Sequence, residues 1–344
     1  MNPIRTRLLS QQLLSPQYAT AAEVVEYMGA MQAQDYRMMR LAVSLRIKTN
    51  SFSGLTSNSD NGLFRQAFDS GDIIRMHLLR MTWQLVSRTW ALPITRICYD
   101  RNMRSLRGWT KSFGFDPDET TLKHTYSRLE NHLQGGHSAT LSELCTLLTE
   151  SGLASDRQQA RYLLHYAEIE GVLCNGNLTD KDITYALSVE KAGAPTDIDK
   201  NATLAYLARA YFRSHAPATE ADFIWWSGLS ATECRHAMQL ISDELTQIEL
   251  RSPHIRGHRD TYFLHSTTRT RGGANGSTIL LPAYDEYLIG YKSRHISLAP
   301  EYAHHAHDSK GIFHPVILTD GIVTGSWKQT PKGVEKWYFN EEST

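Results

Sequence analysis

The chain has 344 residues, of which 41% are hydrophobic, so it can form two or three domains with substantial cores. This composition excludes a disordered or a fibrous protein. Its 36 Lys and Arg equal its 36 Asp and Glu, and a formal charge of zero, taken alone, argues against a protein that coats nucleic acid or an anionic membrane.

Cysteine usage and the lack of long apolar runs indicate the compartment. The four cysteines lie far apart and include no Cys-x-x-Cys pair, which fits neither a disulfide scaffold nor a zinc finger and favours a reducing compartment. Residues 1–10 lack the apolar core of a signal peptide, and no window has the length of a membrane span. We therefore expect a soluble cytoplasmic protein with no membrane partner.

The formal charge of zero is the sum of three segments whose net charges differ in sign and size. Residues 1–111 carry 15 basic and 7 acidic side chains, residues 112–200 carry 7 and 14, and residues 201–344 carry 14 and 15. A second basic stretch lies inside the last segment, at 251–294. Such asymmetry is typical of a protein that binds a polyanion with one part of its surface, and an ordinary solvated surface is the alternative.

The N-terminal third contains the first predicted helix and hairpin. Thr20 and Glu23 form a capping box that begins an amphipathic helix extending towards Met31. A second helix is expected near 62–70, followed by strands within 73–87. This order is a looser version of one that recurs later in the chain.

The middle of the chain shows this order of helices and strands most clearly. Thr140 with Glu143 predicts a helix, and Ser155 with Gln158 predicts the start of a second one that ends at Gly171. The hydrophobic period then changes from 3.6 to 2, which predicts two short strands, at 172–174 and 183–187. Two helices followed by a hairpin are typical of a winged helix, a fold that usually binds nucleic acid.

A third copy of this order begins about 75 residues after the second one. A helix at 203–214 is followed by one that Thr219 begins and one that Ser230 begins with Glu233. Strands at 245–250 and 261–265 enclose a long basic tip. The arginines of this tip and of the segment after it are candidates for contacts with phosphates or a minor groove, with a solvated loop as the alternative: Arg251, Arg256, Arg259, Arg269 and Arg271.

Short apolar runs dominate the C-terminal part of the chain. They lie at 278–281, 315–318, 322–327 and 334–339. Asp320-Gly321, between two of them, is a hairpin signal. The predicted fold class is therefore α+β, with three tandem winged-helix units at 1–111, 112–200 and 201–276 and a β-rich, barrel-like unit at 277–344.

Other residues that attract attention have ordinary explanations. The group His304, His305, His307 and Asp308 suggests a metal site, but its polar, turn-like sequence favours a solvated loop, and we expect no metal and no cofactor. Trp225, Trp226, Tyr287 and Tyr291 suggest stacking on bases, but their spacing beside apolar residues favours core packing. Asp285 and Glu286 suit either a supporting role at a site or a structural hydrogen bond.

Six sequence blocks together resemble one known family. They are AEVVEYMGAMQAQDY at 22–36, RMHLLRMT at 75–82, YFRSHAPAT at 211–219, DFIWWSG at 222–228, DEYLIGY at 285–291 and GIFHPV at 311–316. In this order they are similar to the AlkZ-like, or YcaQ-type, group of winged-helix DNA glycosylases. The resemblance spans nearly the whole chain. It implies tandem winged helices, a concave DNA-binding surface and a hairpin that probes the duplex.

The resemblance also implies the site. The Gln-x-Gln motif of the family falls on Gln32, Ala33 and Gln34, of which the two glutamines would be catalytic. Apart from the resemblance, Tyr36 and Asp285 are candidates for a supporting role. DNA contacts are expected from Arg75, His77 and Arg80 in addition to the arginines of the basic tip. The chain departs from the family pattern in having a small middle residue, and in Met81 and Gln84 where Gly and His are common.

The chemistry of glutamine limits the substrate that such a site can process. Glutamine is not a useful base, but its carbonyl and amide can position a water and offer a dipole to an oxocarbenium-like transition state. This help suffices where the leaving base is already activated, as in cationic N7- or N3-alkylated purines. We therefore expect a monofunctional glycosylase for such bases in double-stranded DNA, with bulky adducts and interstrand crosslinks as further substrates.

Two other functions remain open on the sequence. The winged helices suit a non-catalytic DNA-binding regulator equally well, and the acidic middle segment suits a protein-interaction scaffold. No lysine lies near the motif in the sequence to form a Schiff base, so lyase activity is not expected. We expect a monomer associated with the nucleoid.

Overall fold

The computed structural model describes residues 1–48, 62–179, 182–194, 197–251, 259–273 and 276–339. The helices are α1 (Pro3–Ser10), α2 (Ala21–Met28), α3 (Met39–Ser44), α4 (Leu63–Asp69), α5 (Arg88–Ser112), α6 (Glu119–Leu133), α7 (Leu141–Glu150), α8 (Arg157–Glu170), α9 (Ser188–Lys191), α10 (Lys200–Ser214), α11 (Glu220–Ser227), α12 (Ala231–Leu240), α13 (Glu286–Ile289) and α14 (Ala303–Ala306). Short 3-10 turns lie at Leu79–Met81, Ser242–Glu244 and Pro300–Tyr302.

The strands are β1 (Met31–Gln32), β2 (Ile73–His77), β3 (Trp83–Ser87), β4 (Ala139–Thr140), β5 (Leu173–Asn175), β6 (Thr184–Leu187), β7 (Leu245–Arg251), β8 (Arg259–His265), β9 (Thr278–Leu281), β10 (Val316–Thr319), β11 (Ile322–Thr330) and β12 (Gly333–Tyr338). The chain divides into two compact units. The first unit comprises Met1–Phe64 with Leu204–Thr344, and the second unit comprises Arg65–Thr203. The fold is therefore a mixture of helices and sheets, as the sequence predicts at this coarse level.

The second unit contains two of the predicted hairpins. β2 and β3 pair antiparallel from Ile73 opposite Ser87 to His77 opposite Trp83. β4, β6 and β5 form a small antiparallel sheet beside α7 and α8. The capping box of Thr140 with Glu143 is present at the start of α7, as predicted.

The second unit differs from the prediction at the start of α8 and at residues 88–112, among other places. The helix expected to begin at Ser155 is capped one residue later, because the Asp156 side chain accepts the backbone N–H of Gln159 at 2.8 Å. A carboxylate is as good a cap as a hydroxyl, so the two registers compete locally. Residues 88–112, for which no element was predicted, form the 25-residue helix α5. Pro93, normally a helix breaker, lies inside this helix.

The first unit combines helices with a β-hairpin and a four-stranded sheet. Thr219 with Asp222 and Ser230 with Glu233 form capping boxes at α11 and α12. β7 and β8 pair antiparallel, and the tip between them lies outside the described residues. The sheet β12-β11-β10-β9 is antiparallel and open, so the described strands form no closed barrel.

The turn between β10 and β11 agrees with the sequence signal. Asp320 and Gly321 have φ values of 49° and 84°, the left-handed conformation of a tight hairpin. Beneath this sheet lies an apolar core that includes Leu281, Tyr287 and Leu318. Among the described residues, no helix is long and apolar enough to cross a membrane. The four-part division at 111, 200 and 276 stays a prediction.

Gly29 fixes the path of the chain after α2. Its φ is 79°, and a Cβ added there would lie 2.5 Å from the Cβ of Ala210 on α10. A side chain at this position would therefore be strained in its backbone and would collide with a neighbouring helix. The close approach of α2 and α10 places the chain that enters β1.

We expect Gly29→Ala to lower the free energy of unfolding by roughly 2–4 kcal/mol, since left-handed strain and overpacking add. The measurement is urea denaturation of the full chain. Gly311→Ala is the matched control, because Gly311 has a φ of 81° and nothing within 4 Å of the added Cβ. Equal losses in the two variants would show that the approach of α2 to α10 is not tight.

Candidate active site

The two glutamines of the motif differ in exposure. Gln32 lies in β1 and is 5% exposed, whereas Gln34 lies beyond the strand and is exposed to solvent. Ala33 between them is buried. The Gln34 amide has no hydrogen-bond partner among the described residues. This segment is not helical, which is the condition for two amides at i and i+2 to serve one site.

The backbone of Gln32 is anchored by a buried carboxylate. Its N–H donates to Oε1 of Glu286 at 2.5 Å. The other oxygen, Oε2, accepts from Nε1 of Trp226 at 3.1 Å and lies 3.2 Å from Nε2 of His215. Glu286 is 1% exposed, and Trp226 and His215 are buried as well. One carboxylate therefore connects β1, α11, α13 and the residue after α10.

His215 is held in one orientation by its surroundings. Burial lowers its pKa, although Glu286 acts in the opposite direction, so the ring is neutral at pH 7. Its Nδ1 lies 2.8 Å from the Ser214 hydroxyl, and the ring stacks on Tyr211 with centroids 4.5 Å apart. Because a carboxylate accepts hydrogen bonds, the neutral ring carries its proton on Nε2, and this N–H donates a hydrogen bond to Glu286.

Gly290 allows α13 to approach this ring. A Cβ added at Gly290 would lie 2.6 Å from Nε2 of His215. Any larger residue at the end of α13 would therefore displace the imidazole from Glu286. The 285–291 block thus supplies both the carboxylate and the space for its partner.

Asp285 anchors the other end of α13. It forms a bidentate ion pair with Arg46, at 2.9 and 2.8 Å, and accepts the N–H of Tyr287 at 2.9 Å as the helix cap. Arg46 also donates to Oε1 of Gln11 at 2.8 Å. Asp285 and Arg46 are both buried. These contacts give Asp285 a structural role behind the motif, and a direct role in chemistry stays a prediction.

Sequence reasoning missed His215 and Trp226 as members of this network. Both lie in blocks that carry the family resemblance, at 211–219 and 222–228, and this signal could have pointed to them. The preference for core packing is confirmed for Trp226, Tyr287 and Tyr291, which are buried, whereas Trp225 is 39% exposed. Tyr36 is half-buried, and its supporting role stays a prediction.

The predicted DNA contacts of the second unit are largely enclosed. Arg75 is buried, donates to Oδ1 of Asn175 at 2.5 Å and lies over the Trp83 ring at 4.0 Å. His77 pairs with Glu168 at 2.8 Å. Arg80 is half-buried, in the tight turn between β2 and β3. Contacts of these three residues with DNA stay predictions.

The predicted contacts of the first unit are more accessible. Arg259 and Arg271 are exposed, whereas Arg269 donates to the Ser15 carbonyl at 3.0 Å. Arg256 and the Arg251 side chain lie outside the described residues. The exposed arginines are therefore the better candidates for phosphate contacts within the described part of the first unit.

The loop expected around His304 and His305 is a short helix instead, α14. His304 is exposed, and the ring of His305 stacks on Phe339 with centroids 4.6 Å apart. Burial lowers the pKa of His307. Contact with the apolar Phe339 explains why this polar sequence folds against the sheet.

Known proteins share this architecture. The structure of the DNA glycosylase AlkZ from Streptomyces sahachiroi matches with a TM-score of 0.75, covering 98% of this chain and 90% of that chain at 23% identity. The two chains therefore share one fold.

The sequence comparisons agree with the fold. A curated protein of Streptomyces sahachiroi named interstrand DNA cross-link repair glycosylase is 24% identical over 338 residues, which cover 93% of this chain and 85% of that protein. The family described as DNA glycosylase AlkZ-like matches residues 25–336. The chain belongs to this family of DNA glycosylases, and the resemblance carried by the six sequence blocks is confirmed.

We expect Glu286→Gln to destabilise the protein, because the amide nitrogen of glutamine cannot accept a hydrogen bond. One buried donor among Gln32, Trp226 and His215 would then lack an acceptor, at a cost of about 1–3 kcal/mol in the free energy of unfolding. Urea denaturation measures the loss. Glu301→Gln is the control, since Glu301 is exposed. A variant as stable as this control would show that the carboxylate does not hold Gln32.

Proposed function

We propose that this DNA glycosylase is monofunctional and hydrolyses the N-glycosidic bond of cationic N7- or N3-alkylated purines in double-stranded DNA. Gln32 and Gln34 would be the catalytic residues. The observation that carries the proposal is the non-helical segment in which Gln32 is anchored at its backbone by Glu286 and Gln34 presents an exposed side chain. Rigid support on one side and access on the other are what a preorganised site requires.

The reaction follows from the chemistry of the leaving group. A water oxygen forms a bond to C1′ while the bond from C1′ to the purine nitrogen breaks, and the electron pair neutralises the cationic base. The water proton passes to solvent. Gln34 would accept from this water through its carbonyl, and the amide dipoles would face the positive charge that develops on the sugar. No acid is needed, because the base departs neutral.

The buried carboxylate suits positioning better than proton transfer. Both oxygens of Glu286 already accept N–H groups from Gln32, Trp226 and His215. At least one of these hydrogen bonds would have to break before Glu286 could accept a proton from water. A site that lacks a side chain able to act as a general base is expected to leave unmodified purines intact.

The name of the relative suggests a wider range of substrates, since it states that the relative repairs interstrand crosslinks. We propose that this chain also removes bulky adducts and unhooks crosslinks. An unhooking site must accept a base that is still linked to the opposite strand. The exposure of Gln34 supports this extension, since an open site tolerates a large substituent better than a closed pocket.

The duplex would be held by winged-helix units. The helix, helix and hairpin order of α7, α8, β5 and β6 supports such a unit at 112–200, and α11, α12, β7 and β8 support one at 201–276. A third, at 1–111, would carry the glutamine motif, and 277–344 would complete the chain as a β-rich unit. The protein would act as a monomer at the nucleoid, without a membrane partner.

A non-catalytic DNA-binding regulator is the alternative that the sequence left open. Family membership disfavours it, because the family is one of glycosylases. The regulator and the enzyme make opposite predictions for the release of free base. One assay therefore separates them.

We expect the protein to release N7-methylguanine from alkylated duplex DNA well above spontaneous depurination. Gln34→Ala should lower the single-turnover rate by roughly 10- to 100-fold, since a misplaced water costs about that much. Gln17→Ala, an exposed glutamine outside the motif, is the control. Release that is absent in the parent protein, or undiminished in Gln34→Ala, would contradict the mechanism.

We expect DNA affinity to fall steeply with salt. Arg259→Gln with Arg271→Gln should reduce the slope of log affinity against log salt by about 0.9 for each phosphate that these arginines neutralise. Fluorescence anisotropy with an undamaged duplex measures the slope. Lys123→Gln, an exposed lysine of the acidic segment, should leave it unchanged. A flat response of the parent protein would favour the scaffold function instead.

A further inference from the structure

Three potential metal ligands converge in the second unit. His77 is the last residue of β2, and His165 and Glu168 lie three residues apart on α8. One donor atom from each of them lies within 4.8 Å of the others. Residues 77 and 165 are far apart in the sequence, which is why no spacing motif predicted the cluster.

The distances suit coordination. Nδ1 of His77 and Nδ1 of His165 lie 2.8 and 3.3 Å from the same oxygen, Oε2 of Glu168. Ligands that bind zinc at about 2.0–2.1 Å in a tetrahedron lie roughly 3.3 Å from one another. The two nitrogen–oxygen distances are close to this spacing, and all three donor atoms, which lie within 4.8 Å of one another, would have to draw together around a bound ion.

The carboxylate of the cluster lacks a full set of partners. Glu168 is fully buried, and its Oε1 has no hydrogen-bond partner among the described residues. A buried ionised oxygen without a partner is costly. A cation bound between the carboxylate and the two imidazoles would stabilise it.

A cavity beside the cluster gives access. It has a volume of about 230 Å³ and is lined by His77, His165, Met81, Leu106, Trp109 and Ile169. The His165 side chain is 28% exposed. A metal ion could therefore enter from this side and keep a water or another small ligand in an open position.

We propose that His77, His165 and Glu168 form a binding site for one divalent transition-metal ion, with zinc as the best fit. Two imidazoles and one carboxylate suit zinc, cobalt and nickel, whereas magnesium and calcium prefer oxygen ligands. The site would fix the hairpin of β2 and β3 to α8. It is independent of the glutamine chemistry proposed above.

Metal binding by the full chain tests the proposal directly. After treatment with a chelator and its removal, equilibrium dialysis against Zn²⁺ should show one tightly bound ion per chain, and Zn²⁺ should raise the melting temperature. Ni²⁺ should quench tryptophan fluorescence, because the Trp83 ring lies 3.9 Å from His77 and the Trp109 ring 6.3 Å from His165. Absence of stoichiometric binding overturns the proposal.

Variants separate this site from surface histidines. His165→Ala removes a half-exposed ligand and should weaken Zn²⁺ binding by more than the roughly 10- to 100-fold that outer-shell partners contribute. The double variant His304→Ala with His305→Ala is the control, because these rings also lie close together, with centroids 3.9 Å apart. Circular dichroism verifies the fold of each variant. Binding that survives in His165→Ala, or is abolished in the control, overturns the assignment.

Discussion

The candidate active site depends on one buried carboxylate. Glu286 accepts hydrogen bonds from the Gln32 backbone, the Trp226 indole and the His215 imidazole. Each donor comes from a different part of the first unit, and all of them are removed from water. In such surroundings a satisfied network stabilises one geometry, while a missing acceptor leaves a donor unpaired at full cost. The position of the motif is therefore set by an interaction in which neither motif side chain takes part.

Local signals predicted much of the fold. The capping boxes at Thr20, Thr140, Thr219 and Ser230 all form, because each needs only residues within one turn of its helix. The Asp320-Gly321 turn forms for the same reason. The helix start at Ser155 was wrong by one residue, since Asp156 offers a competing cap. The barrel-like form predicted for residues 277–344 is not confirmed, since the described strands there form an open sheet. Alternation along single strands does not say whether the outer strands of a sheet meet.

The site was only partly predictable, for a physical reason. Resemblance pointed to Gln32 and Gln34 as candidates, but the contact between Gln32 and Glu286 joins residues 254 positions apart. Hydrophobic period and capping carry no information about such a pair. The exposure of Gln34 beside the burial of Gln32 likewise follows from tertiary packing. Sequence patterns therefore located the motif, while its support required the structure.

The net charge of a sequence segment likewise does not show where its charged side chains lie in the folded protein. The basic excess of residues 1–111 includes Arg7, Arg46 and Arg75, whose side chains are fully buried. Arg46 is neutralised by Asp285, a residue of the C-terminal part, so the excess of one segment partly cancels a charge from another. Because its charge is cancelled, Arg46 holds the fold together and adds little to the field at the surface. Any attraction to a polyanion would therefore come from exposed basic side chains, among them Arg37 and Arg104 in the N-terminal segment and Arg259 and Arg271 in the last one.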